Sequence, residues 1–191
     1  MIRRPVYLLM HCLLALLLLL QAPAQAANAE VTTARIESSE EGYRIFAGFS
    51  FELSHALEDA ITRGIPMYFM TEVELTRPRW YWFDEKAINS TQTVKISYNV
   101  WTRQYTSSSS GSLPQNFTTL EEAMNTVLRP RRWVVAEKSD LTSGATYNVA
   151  VRLKLDLGQV PKQPLLINAL NNSDWRLSSE WKRFTFKADE K

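Results

Sequence analysis

The sequence predicts a mainly β fold: an antiparallel β-sandwich, immunoglobulin-like in topology, with two short helices. Three observations predict it. Apolar and polar residues alternate at period two through most of the chain, turn-forming residues punctuate those runs at short intervals, and only two stretches change to the helical period. An open α+β roll is the alternative architecture.

The elements follow in order. Arg3 and Arg4 precede an apolar run from Val6 to Leu20 that ends at Ala24-Gln25-Ala26, the three parts of a Sec signal peptide. A membrane-spanning helix needs ~20 apolar residues, more than this run supplies. Cys12 follows His11 rather than a small residue, which argues against a lipid anchor. Residues 1–26 are therefore expected to be cleaved, and 27–191 to fold as a single exported β-sandwich domain in the periplasm.

Strands are expected over Val31 to Glu37 and over Tyr43 to Phe51, where Tyr43, Ile45, Ala47, Phe49 and Phe51 share a face. Ser54 as N-cap, Leu57 and Ile61 as inward residues and Gly64 as the stop define a short helix. Pro66 opens the next strand, with Met67, Phe69, Thr71, Val73 and Leu75 on one face. Val94, Ile96, Tyr98 and Val100 mark another, and Gln104 to Ser107 a shorter one. Ser107 to Ser112, with Gly111, reads as a flexible loop tip. The second helix carries Leu120, Ala123, Met124, Val127 and Leu128 at i, i+3, i+4, i+7 and i+8 behind a capping box at Thr118-Thr119-Leu120-Glu121, and Pro130 ends it. A strand is expected over Trp133 to Glu137. The clearest alternation is Tyr147, Val149, Val151, Leu153, Leu155 and Leu157, with Arg152, Lys154 and Asp156 opposite. In the last strand, Trp181 to Phe186, Trp181 and Phe184 cannot share a face of a regular strand, so a bulge is expected.

Composition excludes several function classes. The chain has 22 Lys and Arg against 20 Asp and Glu, and loss of Arg3 and Arg4 with the leader balances them, which gives no basic surface for nucleic acid. Cys12 is the single cysteine, so the exported domain has no disulfide and no thiol nucleophile. His55 is its one histidine, too few nitrogen and sulfur ligands for a zinc site. Glycine-rich phosphate loops and EF-hand spacings are absent from the sequence. Ser54 beside His55 is no triad, since nucleophile and base must converge in space with an orienting group. Asp84 and Glu85, neighbours in a strand, point to opposite faces. No enzymatic activity and no cofactor are expected.

The densest group of binding-type side chains is Arg77 to Lys86. Alternation places Trp80 and Trp82 on one face and Tyr81 and Phe83 on the other, which fits a buried central strand. The sharper reading is an aromatic platform with Arg79 and Asp84 at its rim, able to stack on sugars or anchor a protein. The candidate binding residues are Arg79, Trp80, Trp82, Asp84 and Arg103. Trp80, Trp82 or Trp101 exposed on a flat face favours sugar, and a curved apolar patch rimmed by Arg79 and Arg103 favours protein.

Gly64-Ile65-Pro66, the strand Met67 to Leu75 and Arg79-Trp80-Tyr81-Trp82-Phe83-Asp84-Glu85 together resemble an uncharacterised family. The likeness continues through Ser97-Tyr98, Thr102-Arg103-Gln104-Tyr105, Phe117 to Ala123, Arg152 to Asp156 with Pro161, and Trp175 to Trp181. The chain is similar to exported proteobacterial proteins known as a domain of unknown function, often encoded beside a nitrogen-regulation-type membrane sensor histidine kinase. The resemblance implies an address and a partner but no catalytic residues. The expected function is a non-catalytic periplasmic binding or accessory module for a membrane signalling protein, with a carbohydrate-binding module of the cell envelope as the alternative.

Overall fold

A computed structural model of the chain describes residues 28–79, 85–161 and 173–189. In chain order these form β1 (Asn28–Ser39), β2 (Gly42–Ser50), α1 (His55–Thr62), β3 (Met67–Arg77), β4 (Glu85–Asn99), β5 (Gln104–Ser109) and β6 (Gln115–Phe117). Then come α2 (Leu120–Leu128), β7 (Trp133–Ala136), β8 (Thr146–Leu155), β9 (Ser178–Ser179) and β10 (Lys182–Lys187). The expected leader lies outside the described residues.

Period two does what the sequence implies wherever one face is covered. Along β3, Met67, Phe69, Thr71, Val73 and Leu75 are buried, and along β8 so are Tyr147, Val149, Val151, Leu153 and Leu155. These two strands pair antiparallel, Phe69 opposite Leu155 and Leu75 opposite Val149, and form the centre of the core. The cap of α1 forms as expected, whereas the capping box of α2 lies one residue later than the expected Thr118–Glu121 pair, because Thr119 is the extended residue that precedes the helix. Ser54 accepts the amide of Leu57 at the start of α1. At α2 the Thr119 hydroxyl accepts from Glu122 N, and the Glu122 carboxylate accepts from the Thr119 amide in return.

The strand order is β6-β5-β4-β3-β8-β9-β1-β2-β7, with β10 also on β8. The expected immunoglobulin-like sandwich of two antiparallel sheets gives way here to one mixed, mostly antiparallel sheet curled into a half-barrel. The physical reason is β9. It pairs antiparallel with β8 on one side and parallel with β1 on the other, so a short strand joins what a sandwich keeps apart. The curl brings β7 against β4, where Trp133 Nε1 donates to Ser90 Oγ at 3.0 Å. Helix α2 packs against β2, β4, β5 and β6 and so covers the concave side between the two halves.

Two irregularities set where the sheet divides. Ser178 lies opposite Lys154 and Lys182 opposite Val151, so four steps on the β9–β10 stretch face three on β8. This is the bulge expected around Trp181. On β1 the register with β2 also slips between Val31 and Thr33. Beyond the parallel pairs Asn28–Ser178 and Ala29–Ser179, β1 and β10 therefore part without further pairing. At the far end Ser38 Oγ donates to the Asp189 carboxylate, and Asp189 N donates to Tyr43 OH at 3.3 Å.

Candidate functional site

Three of the sequence-predicted site residues, Trp80, Trp82 and Asp84, lie outside the described residues. Arg79 is half-buried just past the end of β3. Arg103 is exposed in the β4–β5 turn, with its backbone in the left-handed region at φ 54°. The β3–β4 hairpin runs from Arg77 opposite Glu85 at one end to Met67 opposite Ile96 at the other. At ~3.3 Å per residue that spans ~33 Å, so Arg79 and Arg103 sit at opposite ends of a long hairpin rather than on one rim.

The turn that carries Arg103 presents an aromatic side chain. Asn99 Oδ1 accepts the amides of Trp101 at 2.9 Å and Thr102 at 3.2 Å, an Asx-type turn that fixes the tip. Behind it the Tyr98 and Tyr105 rings pack with centroids 4.7 Å apart. The fixed tip leaves Trp101 96% exposed and Val100 61% exposed.

A second group lies on the convex face. Arg152 on β8 stands opposite Glu72 on β3, and the Glu72 carboxylate accepts from Arg152 Nε and from Lys154 Nζ, the latter at 2.7 Å. The Glu72 side chain is only 15% exposed. Burial pulls its carboxyl up, but hydrogen bonds from Lys154 and Arg152, with their charges, outweigh that and hold it below the usual range. The Arg152 guanidinium in turn lies 4.3 Å from the centroid of the Trp181 ring. Trp181, raised at the bulge, lines two grooves. One of about 590 Å³ includes Glu74, Asn148, Ala150 and Arg183, and one of about 420 Å³ includes Glu30, Glu180 and Lys182. Sequence alternation places Arg152 and Lys154 on the solvent face. Their shared carboxylate was not readable, because it depends on strand register.

Glu72→Gln is expected to lower stability by about 1–2 kcal/mol at neutral pH. The sign of its pH dependence follows from the depressed folded-state value. The stabilisation is complete above the unfolded-state pKa of about 4.3 and is lost as pH falls through the lower folded value. Urea titrations from neutral to acidic pH should therefore show the gap between wild type and variant closing only on the acid side.

His55 is exposed beside Glu58, with 3.6 Å between Nδ1 and the carboxylate, and Ser54 is the cap of α1. Among the described residues no three His, Cys, Asp or Glu side chains gather as metal ligands, and no helix is long and apolar enough to cross a membrane. A family model described as Domain of unknown function (DUF4390) matches residues 26–185. No curated protein and no solved structure matches the chain.

Proposed function

The chain belongs to the DUF4390 family, and from that premise we propose that it is an exported, non-catalytic binding module that docks a membrane signalling protein in the periplasm. Export is supported by the basic, apolar and small-residue order of residues 1–26, and the class of partner by the resemblance of the mature segments. The observation that carries docking is the fixed β4–β5 tip, with Trp101 almost fully exposed, Val100 beside it and Arg103 behind it. Trp and Arg dominate binding hot spots. A protruding tip enters a pocket, whereas a sugar-stacking tryptophan lies flat on a platform. Carbohydrate binding is the second reading, favoured by Trp181 between two grooves that offer Asn148, Glu74 and Arg183.

Trp101→Ala should leave the melting temperature unchanged, since an exposed side chain contributes within ±0.5 kcal/mol. Crosslinking from intact envelopes, with both proteins tagged at the C-terminus, should recover a membrane sensor protein with wild type and lose it with the variant. Equal recovery overturns tip docking. Retention on polysaccharide in place of protein moves the function to the Trp181 face.

A further inference from the structure

The outer face of β1, β2 and the approach to β7 carries a groove that shares no residue with the tip or with the two Trp181 grooves. Arg35 stands opposite Phe46 across the β1–β2 ladder, and the β2–β7 ladder, which pairs Ile45 with Trp133, brings Arg132 to the other side of the same ring. Both guanidiniums lie over that ring, Arg35 at 4.2 Å and Arg132 at 3.7 Å from its centroid. An aromatic face holds a guanidinium in place and leaves its N–H groups for an acceptor. The next residue of β2 on this face is Gly48, which has no side chain, so the row beside Phe46 is open. The groove that results, of about 610 Å³, is lined by Thr32, Thr33, Gly48, Ser50, Arg129 and Arg132 among others.

The bulge in β1 supplies one wall. Val31 stands opposite Phe49 and Thr33 opposite Gly48, so Thr32 is the extra residue. A bulge re-aims side chains, and here both threonine hydroxyls turn toward Gly48. A Cβ added at Gly48 would meet Thr33 Oγ1 at 2.5 Å and Thr32 Oγ1 at 3.1 Å. Among the described residues neither hydroxyl has a hydrogen-bond partner.

Charge and width select the ligand. Among the described residues no carboxylate lines the groove. Arg35 is matched by Glu37 at 2.8 Å, but Arg129 and Arg132 have no ion pair among the described residues. Two guanidiniums over one ring lie within about 8 Å of each other and repel, a cost that a bound anion offsets. Neighbouring strands are ~4.8 Å apart, so the hydroxyls on β1 and the guanidinium beyond β2 face each other across ~10 Å. A tetrahedral oxyanion with charge-assisted bonds of about 2.8 Å on either side fills that width with oxygens that point both ways, whereas a carboxylate directs its two oxygens to one side. We propose that this groove binds a phosphate group, free or carried on a lipid headgroup, with Thr32 and Thr33 donating from one wall and Arg132 and Arg129 from the other. It lies on the opposite half of the sheet from Trp101, so binding here is independent of the docking tip.

The test is a heteronuclear NMR titration of the whole exported domain, at constant ionic strength, with inorganic phosphate and with acetate. Phosphate should shift the amides of Thr33 and Gly48 and the Arg132 Nε–H, and acetate should bind at least about tenfold more weakly. Thr33→Val, close in shape but without the hydroxyl, and Arg132→Gln should each weaken phosphate at least about fivefold. Arg131→Gln, at an exposed arginine outside the groove, and Trp101→Ala should bind phosphate as wild type does. Vesicles of phosphatidylglycerol in phosphatidylcholine, set against pure phosphatidylcholine, separate the two sources. Sedimentation of the domain with the anionic vesicles, reversed by free phosphate, assigns a lipid headgroup, and no sedimentation assigns soluble phosphate. Absence of Thr33 and Gly48 shifts at millimolar phosphate, equal binding of acetate, or the same loss from Arg131→Gln as from Arg132→Gln overturns the proposal.

Discussion

Phe69→Ala is expected to destabilise the domain by about 3–5 kcal/mol, the largest effect of any single truncation considered. Phe69 is fully buried at the middle of the sheet, opposite Val94 on β4 and Leu155 on β8, and its ring stacks on Phe51 with centroids 5.9 Å apart. Its neighbours are held by ladder bonds on both sides, so they cannot close the gap. A cavity penalty is therefore added to the lost transfer free energy. Denaturant titration should show a lower midpoint with an unchanged m-value. A loss below about 1 kcal/mol would mean that the concave side collapses around the gap and that β3 is not the rigid centre of the core.

Gly42→Ala comes next, at about 3 kcal/mol or more. Gly42 opens β2 at φ 135°, a conformation that side chains rarely adopt, and a Cβ there meets the Ala136 carbonyl oxygen at 2.4 Å. The obstacle is backbone, so relief requires β7 to move away from β2. That movement should also disturb the Trp133 bond to Ser90, which gives tryptophan emission as a second readout. Gly111→Ala is the control: its φ is 75°, but nothing lies within 4 Å of the added carbon. It should cost only the backbone strain, about 1–2 kcal/mol.

Much of the fold was legible because burial on one face writes itself into every second residue. That holds for β2, β3 and β8, and the cap at Ser54 is an equally local signal, whereas the capping box of α2 was legible only to within one residue, since adjacent Thr118 and Thr119 precede adjacent Glu121 and Glu122. What escaped was register and curvature. A two-residue strand at Ser178–Ser179 has no alternation to display, yet it joins the halves and turns an expected sandwich into one curled sheet. Likewise Glu72 is eighty residues from Arg152 and meets it only through the pairing of β3 with β8. For the site, aromatic density drew attention to Trp80 and Trp82. Those two lie outside the described residues; among the described tryptophans it is Trp101, between Asn99 and Arg103, that is left in water.

The split between β1 and β10 also decides how the domain yields to tension. These strands run parallel, so Asn28 and Lys187 sit at opposite ends of the seam, and a pull on the two chain ends loads it in shear. Among the described residues, the ladder across the seam is two pairs from β1 to β9, supplemented by the Asp189 clamp and the Tyr43–Phe186 ring contact, against nine registered pairs between β1 and β2 and six between β8 and β10. Rupture should therefore begin at the seam and leave each sub-sheet intact, so that the domain held at both ends would stretch by one discrete step before it unravels.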